Sequence, residues 1–124
     1  MGNPVAWFEI YVKDLQRARR FYESVLGLTL TEMNSPIPGM KMLAFPTGQD
    51  SYGATGALIQ MDGAPSGPGG TMVYFSCTDC AVEAGRVAAA GGKVEKAKFS
   101  IAPFGNISIV VDTEGNMLGL HSMN

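Results

Sequence analysis

Phe8-Glu9-Ile10-Tyr11-Val12-Lys13-Asp14-Leu15, continuing through Gln16-Arg17-Ala18-Arg19-Arg20-Phe21-Tyr22-Glu23-Ser24-Val25-Leu26 to Gly27, is the stretch that decides how this chain folds. A shift of 65 positions lays Val73-Tyr74-Phe75-Ser76-Cys77-Thr78-Asp79-Cys80 over its opening, Asp79 over Asp14 and Gly92 over Gly27. Each copy reads as an alternating strand, an Asp, an amphipathic helix and a terminating Gly. The Asp suits an N-cap, because its carboxylate can accept hydrogen bonds from the unpaired amides of the first turn. The Gly suits the left-handed residue that closes a helix. Leu15, Ala18, Phe21, Tyr22, Val25 and Leu26 form the apolar stripe of a helix lying on a sheet. Val82, Gly85, Val87, Ala88 and Ala89 form a smaller one in the second copy.

Working outward, the repeat sets the architecture. After the first helix come strands expected over 28–33, 40–45 and 57–61, separated by a Pro-containing turn at 34–39 and a Gly-rich loop at 46–56. Gly63, Pro65, Gly67, Pro68, Gly69 and Gly70 mark a connector. The second copy gives a strand over 72–77, a helix over about 81–90, then strands over 93–97, 106–111 and 117–122. Module one spans about 5–62, the connector about 63–70 and module two about 71–124, all within one domain. The expected class is α+β, with two βαβββ modules whose mixed sheets form a concave cup and carry a helix on each outer face.

Composition excludes several functions. Charged residues are 16% of the chain and the net charge is −2, so no basic field exists for nucleic acid. No apolar run approaches the ~18 residues of a membrane helix, and the N-terminus lacks the basic and apolar regions of a signal peptide, so a cytoplasmic protein is expected. Cys77 and Cys80 form a C-x-x-C, but Cys77 takes the place of Val12 in the repeat. A thiol packed as a small hydrophobe is the simpler account than dithiol chemistry or a zinc ribbon.

Strand parity separates the faces. Phe8, Ile10 and Val12 belong under the first helix, which turns Trp7, Glu9 and Tyr11 the other way. In the second copy Val73, Phe75 and Cys77 leave Met72, Tyr74 and Ser76 outward, and Leu118 and Leu120 leave Gly119 and His121. On the strand over 57–61, Ile59 and Met61 are assigned to the helix side and Leu58 and Gln60 to the other. The surface so assembled mixes aromatic and polar side chains, as a ligand pocket does.

These features resemble the vicinal oxygen chelate superfamily, which includes glyoxalase I, bleomycin-resistance proteins and extradiol dioxygenases. The carriers are Ile10 to Leu15 with Arg20-Phe21-Tyr22 and Leu26-Gly27-Leu28, Phe75 to Asp79 with Gly91-Gly92, and Val111-Asp112-Thr113-Glu114-Gly115-Asn116. The last is similar to the family's D-P-x-G-N turn, with Thr113 in the place of Pro. The resemblance implies a homodimer. It also implies metal-ligand positions at Trp7, Gln60, Met72 and Gly119, none of which is a usual donor to a divalent ion. His121, the chain's one His, with Glu9 would make a displaced pair, too few for a site. No metal and no cofactor are therefore expected.

Glu9 and His121 are the candidate proton-transfer groups. Trp7, Tyr11, Phe45, Gln60, Met72, Tyr74 and Phe104 are the candidate ligand contacts, with Phe104 and Tyr52 placed on loops to gate them. The plainer reading of Glu9 is a rim carboxylate held by an Arg or water, that of His121 a solvated strand end, and that of the aromatic set a second core. The expected function is a metal-free small-molecule-binding protein. The alternative is a lyase or isomerase, similar to lactoylglutathione lyase, that moves a proton alpha to a carbonyl with Glu9 as base, with or without a non-standard metal site.

Overall fold

The computed structural model describes residues 2–48 and 52–124, so residues 49–51 of the loop expected at 46–56 lie outside the described residues. The chain divides into two compact units, Trp7–Thr71 and Met72–Asn124, the second including the N-terminal residues up to Ala6. Both are α+β, with a mixed sheet and one helix.

In the first unit the elements run β1 (Val5–Tyr11), α1 (Leu15–Leu26), β2 (Thr31–Met33), β3 (Met40–Ala44) and β4 (Thr55–Met61). The strand order is β2-β3-β4-β1, with β1 parallel to β4 and the other pairs antiparallel. α1 starts where the sequence says it should. Asp14 is extended, and its side chain accepts from Arg17 N; Gly27 closes the helix at φ 66°, its N–H reaching Glu23 O. The chain then turns back through a small network: Glu23 accepts from Leu30 N, and Arg19 bonds both Glu23 and Leu30 O.

The core under α1 is built from Leu15, Leu30, Leu43, Phe45 and Leu58, with Phe8, Ile10, Val12, Ala18, Tyr22 and Leu28 against them. Each fully buried leucine contributes about 1.5–3 kcal/mol relative to exposure. The apolar stripe of α1 is wider than this contact. Phe21, Val25 and Leu26, expected on the sheet, are 58%, 62% and 55% exposed, because only the Leu15, Ala18 and Tyr22 side of the cylinder reaches the strands.

The second unit contains β5 (Thr71–Ser76), α2 (Cys80–Ala84), β6 (Lys93–Ser100), β7 (Asn106–Val111) and β8 (Met117–Ser122). The strand order is β5-β8-β7-β6, with β5 parallel to β8. Cys80, Ala84, Val110 and Leu120 form the core under α2, with Phe75, Cys77 and Leu118 beside them. The helix is half the expected length. It stops at Gly85, whose missing side chain weakens a helix interior, and the chain continues to Gly92 in tighter turns such as Arg86 N to Glu83 O and Gly91 N to Ala88 O. In the turn at 112–116, the Asp112 carboxylate accepts from Glu114 N, Asn116 N and Asn116 Nδ2, which holds its pKa below the usual carboxylate range.

Candidate functional site

Residues paired in register share a face, so the pairing of β1 with β4 decides what surrounds Glu9. Glu9 pairs with Ala57 and Tyr11 with Ile59; across β4, Ala57 and Ile59 pair with Ala44 and Met42. Accordingly Met42, Ala57 and Ile59 are buried in a cluster joined by Trp7, Tyr11, Met33 and Met40, on the face turned away from α1. On the same face Glu9 is only 7% exposed. Its two oxygens are held by different rings: Trp7 Nε1 donates to Oε2 at 3.2 Å and Tyr11 Oη to Oε1 at 2.8 Å. The alternation Trp7, Glu9, Tyr11 makes this possible, because residues two apart on a strand project side by side.

Two expected contacts move to the other face. Leu58 and Gln60 share a face with Ile10, Leu43 and Lys41, the α1 side, while Ile59 faces Trp7 and Tyr11, the reverse of the assignment made from sequence. Gln60 Oε1 accepts from Leu15 N at 2.9 Å, so it caps the start of α1 instead of meeting a ligand. Phe45 likewise leaves the ligand face. It lies in the α1 core, 5.3 Å from the Phe8 ring and 5.8 Å edge-on from Tyr22, because it continues the Leu43 side of β3. A polar cavity of about 130 Å³ lined by Gly39, Lys41, Gln60, Met61 and Asp62 is below the ~300 Å³ that organic-ligand pockets start from. Sequence reading missed Met33, Met40, Met42, Ala57 and Ile59. The spacing of Met40 and Met42 was the one signal for them.

The remaining candidates, Tyr52 apart, belong to the second unit. Met72 and Tyr74 are 8% and 6% exposed. Tyr74 pairs with Gly119, and its ring occupies the place where a Cβ on residue 119 would stand, so only Gly fits there. The His121 ring is half-buried and its Nε2 bonds Phe104 O, which fastens the loop before β7 to β8. Phe104 is 38% exposed and Tyr52 is 99% exposed. Burial pushes the Cys77 thiol up to about 11, with the Glu83 carboxylate adding to the shift, and Cys80 is wholly buried. Both thiols are thus poor nucleophiles and pack as hydrophobes.

Register also revises the implied ligand position on β4. The repeat aligns Glu9 with Tyr74, so the β4 counterpart of Gly119 is Ala57, not Gln60. Neither Trp7 and Ala57 in the first unit nor Met72 and Gly119 in the second is a usual donor to a divalent ion. Among the described residues no three His, Cys, Asp or Glu side chains are grouped to hold one.

No helix among the described residues is long and apolar enough to cross a membrane. The model of the Glyoxalase/Bleomycin resistance protein/Dioxygenase superfamily matches residues 5–120. No protein of curated function matches the chain. Among solved structures, a Streptomyces coelicolor methylmalonyl-CoA epimerase variant in complex with 2-nitronate-propionyl-CoA is 18% identical at a TM-score of 0.69, with 98% of each chain covered. Methylmalonyl-CoA epimerase from Mycobacterium tuberculosis is 17% identical at 0.69, over 98% of this chain and 88% of that one. A mutant of 4-hydroxymandelate synthase from Streptomyces coelicolor is 19% identical at 0.68, over 99% of this chain and 39% of that one. At these identities the likeness is one of fold, whereas the family match extends over nearly the whole sequence: the chain belongs to the glyoxalase, bleomycin resistance protein and dioxygenase superfamily.

Proposed function

We propose that the protein binds a small organic molecule, without a metal, at the face of the first unit that carries Trp7, Glu9 and Tyr11. The observation behind this reading is the Glu9 carboxylate, buried among methionines and aliphatic side chains and oriented by an indole N–H and a phenol O–H. An apolar wall with one ordered polar point is the composition of a small-molecule site. The two-module cup and the homodimer implied by the family are part of the same proposal. Trp7 is the only tryptophan in the chain, so its emission reports directly on this face. Purified protein titrated with a panel of neutral, cationic and anionic aromatic compounds is expected to give saturable changes in Trp7 emission with at least one class. A flat response across the panel refutes the reading. Dialysis against zinc, nickel, cobalt and manganese, followed by metal analysis, is expected to leave no stoichiometric metal. Tight uptake that Glu9→Gln abolishes overturns the metal-free part.

A second reading rests on the same buried carboxylate. On this reading Glu9 is the base that takes a proton alpha to a carbonyl, the type of step an epimerase performs. Incubation with methylmalonyl-CoA in deuterated water tests it: deuterium entering the alpha carbon with the wild type but not with Glu9→Gln supports it, and no exchange with the wild type ends it for that substrate.

A further inference from the structure

We infer that the second unit carries a site of its own for an organic anion with an apolar body, on the sheet face turned away from α2, where Lys96 reads the charge. Register places the parts. Lys96 pairs with Ile109 and Phe99 with Ile107 across β6 and β7; Ile107 pairs in turn with His121, and His121 with Ser76. The alternate residues of β7, Ser108 and Val110, pair with Leu120 and Leu118 on the α2 side. Ile107 and Ile109 therefore stand outside the core under α2, and Phe99 carries the apolar strip onto the outermost strand of this unit. Ile107 is buried, and Ile109 and Phe99 are half-buried. Ser76 and His121 end the row with a hydroxyl and an imidazole.

The sign of this face follows from where each ionised side chain of the unit is held. Lys98 bonds the Asp79 carboxylate at 2.9 Å beside the start of α2, and Lys93, on the same face as Lys96, is matched by Glu95 at 3.1 Å. Glu83 lies on α2 and Arg86 in the turns that follow it. Asp112 and Glu114 belong to the turn after β7, where amides of that turn hold the Asp112 carboxylate. At about 3.3 Å per residue, Asp112 stands roughly 16 Å along the strand from Ile107. Lys96 is exposed and, among the described residues, in no ion pair; its Nζ lies 4.8 Å from the centre of the Phe99 ring. The backbone fixes it there. The β6–β7 register shifts on both sides of Lys96, and bulges of this kind re-aim side chains. Ser108, 0% exposed, donates Oγ to Lys96 O at 2.7 Å. An ammonium resting on a ring keeps its N–H donors for an anion, while the ring edge and the isoleucines take an apolar body. A cation would be repelled by Lys96, and a neutral ligand would gain only the apolar contact.

Three compounds with one skeleton and different charge separate these cases: phenylbutyrate, phenylbutanol and phenylbutylamine. Each is titrated into isotope-labelled full-length protein, wild type and Lys96→Gln, with the amide chemical shifts of Phe99, Ile107 and His121 as the readout. The carboxylate is expected to bind wild type about fivefold tighter than the alcohol, the upper range for an exposed ion pair, with the amine weakest. In Lys96→Gln the carboxylate's advantage is expected to fall below about twofold. Alcohol or amine binding as tightly as the carboxylate overturns the inference, as does an advantage that survives Lys96→Gln. Saturable shifts confined to the first unit also overturn it while supporting the Glu9 face as the binding site. If no compound moves the three amides, the inference falls, and the Trp7 titration still decides the other reading. The amide spectrum itself shows whether Lys96→Gln is folded; if it is not, the wild-type ranking alone decides.

Discussion

Gln60→Ala and Ser122→Ala should destabilise the protein in the same way, for a reason that depends on the repeat. Gln60 Oε1 accepts from Leu15 N at 2.9 Å, and Ser122 Oγ accepts from Cys80 N at 2.9 Å. Leu15 and Cys80 are the first residues of α1 and α2, and a shift of 65 superposes them. Each unit therefore uses a polar side chain near the end of its fourth strand to satisfy an amide that the helix itself leaves unpaired. The two losses are not equal. Gln60 is partly exposed, so water replaces part of its bond, and Gln60→Ala is expected to cost about 0.5–1.5 kcal/mol. Ser122 is 2% exposed and Cys80 is 0% exposed, so the Cys80 amide would be stranded away from water. The cost expected there is about 1–3 kcal/mol. Urea unfolding followed by circular dichroism measures both. Glu at position 60 keeps the acceptor and adds a negative charge at the helix start, so Gln60→Glu should hold or exceed wild-type stability at neutral pH. Because Gln60 is on the opposite face from Trp7, the folded emission of Gln60→Ala should match wild type. Unchanged stability with an altered Trp7 emission would put Gln60 back on the ligand face and refute the reasoning.

Other substitutions probe the remaining contacts. Gly119→Ala forces a methyl into the Tyr74 ring and should cost about 1–3 kcal/mol in the same assay, less in a Tyr74→Ala background, where the ring is gone. Cys77 is raised from 9.0 to about 11, so the folded state favours the protonated thiol. Its contribution to stability is complete below about pH 9 and is lost as pH rises through about 11; Cys77→Ala should flatten that part of the stability profile, and thiol labelling of folded protein should accelerate toward its upper end. Asp79 is held below the usual range first by the Lys98 hydrogen bond, which adds stability above its ordinary 3.8 that is lost as pH falls through the lower folded value. Lys98→Ala should therefore weaken the acid-side dependence of unfolding, and an unchanged profile would mean the exposed pair contributes nothing.

The residues themselves were enough for the repeat, the N-caps Asp14 and Asp79, the left-handed close at Gly27, the faces of β1, β5 and β8, and the family, because caps, periods and turns are local physics written in adjacent positions. They also placed Trp7, Glu9 and Tyr11 side by side and away from the helix. They could not orient β4. Gly56, Ala57, Leu58 and Ile59 are all buried, so both faces of that strand are apolar and alternation carries no information. Only pairing with β1 and β3 decided that Ala57 and Ile59 accompany Glu9 while Gln60 turns to Leu15. The same holds for Phe45, one residue beyond β3, and for the truncated α2, where a periodic apolar pattern lost to tighter turns after Gly85. A carboxylate between two aromatic residues on one strand face can be foreseen from sequence, but what touches it from other strands is set by strand register, a long-range property that no short stretch encodes.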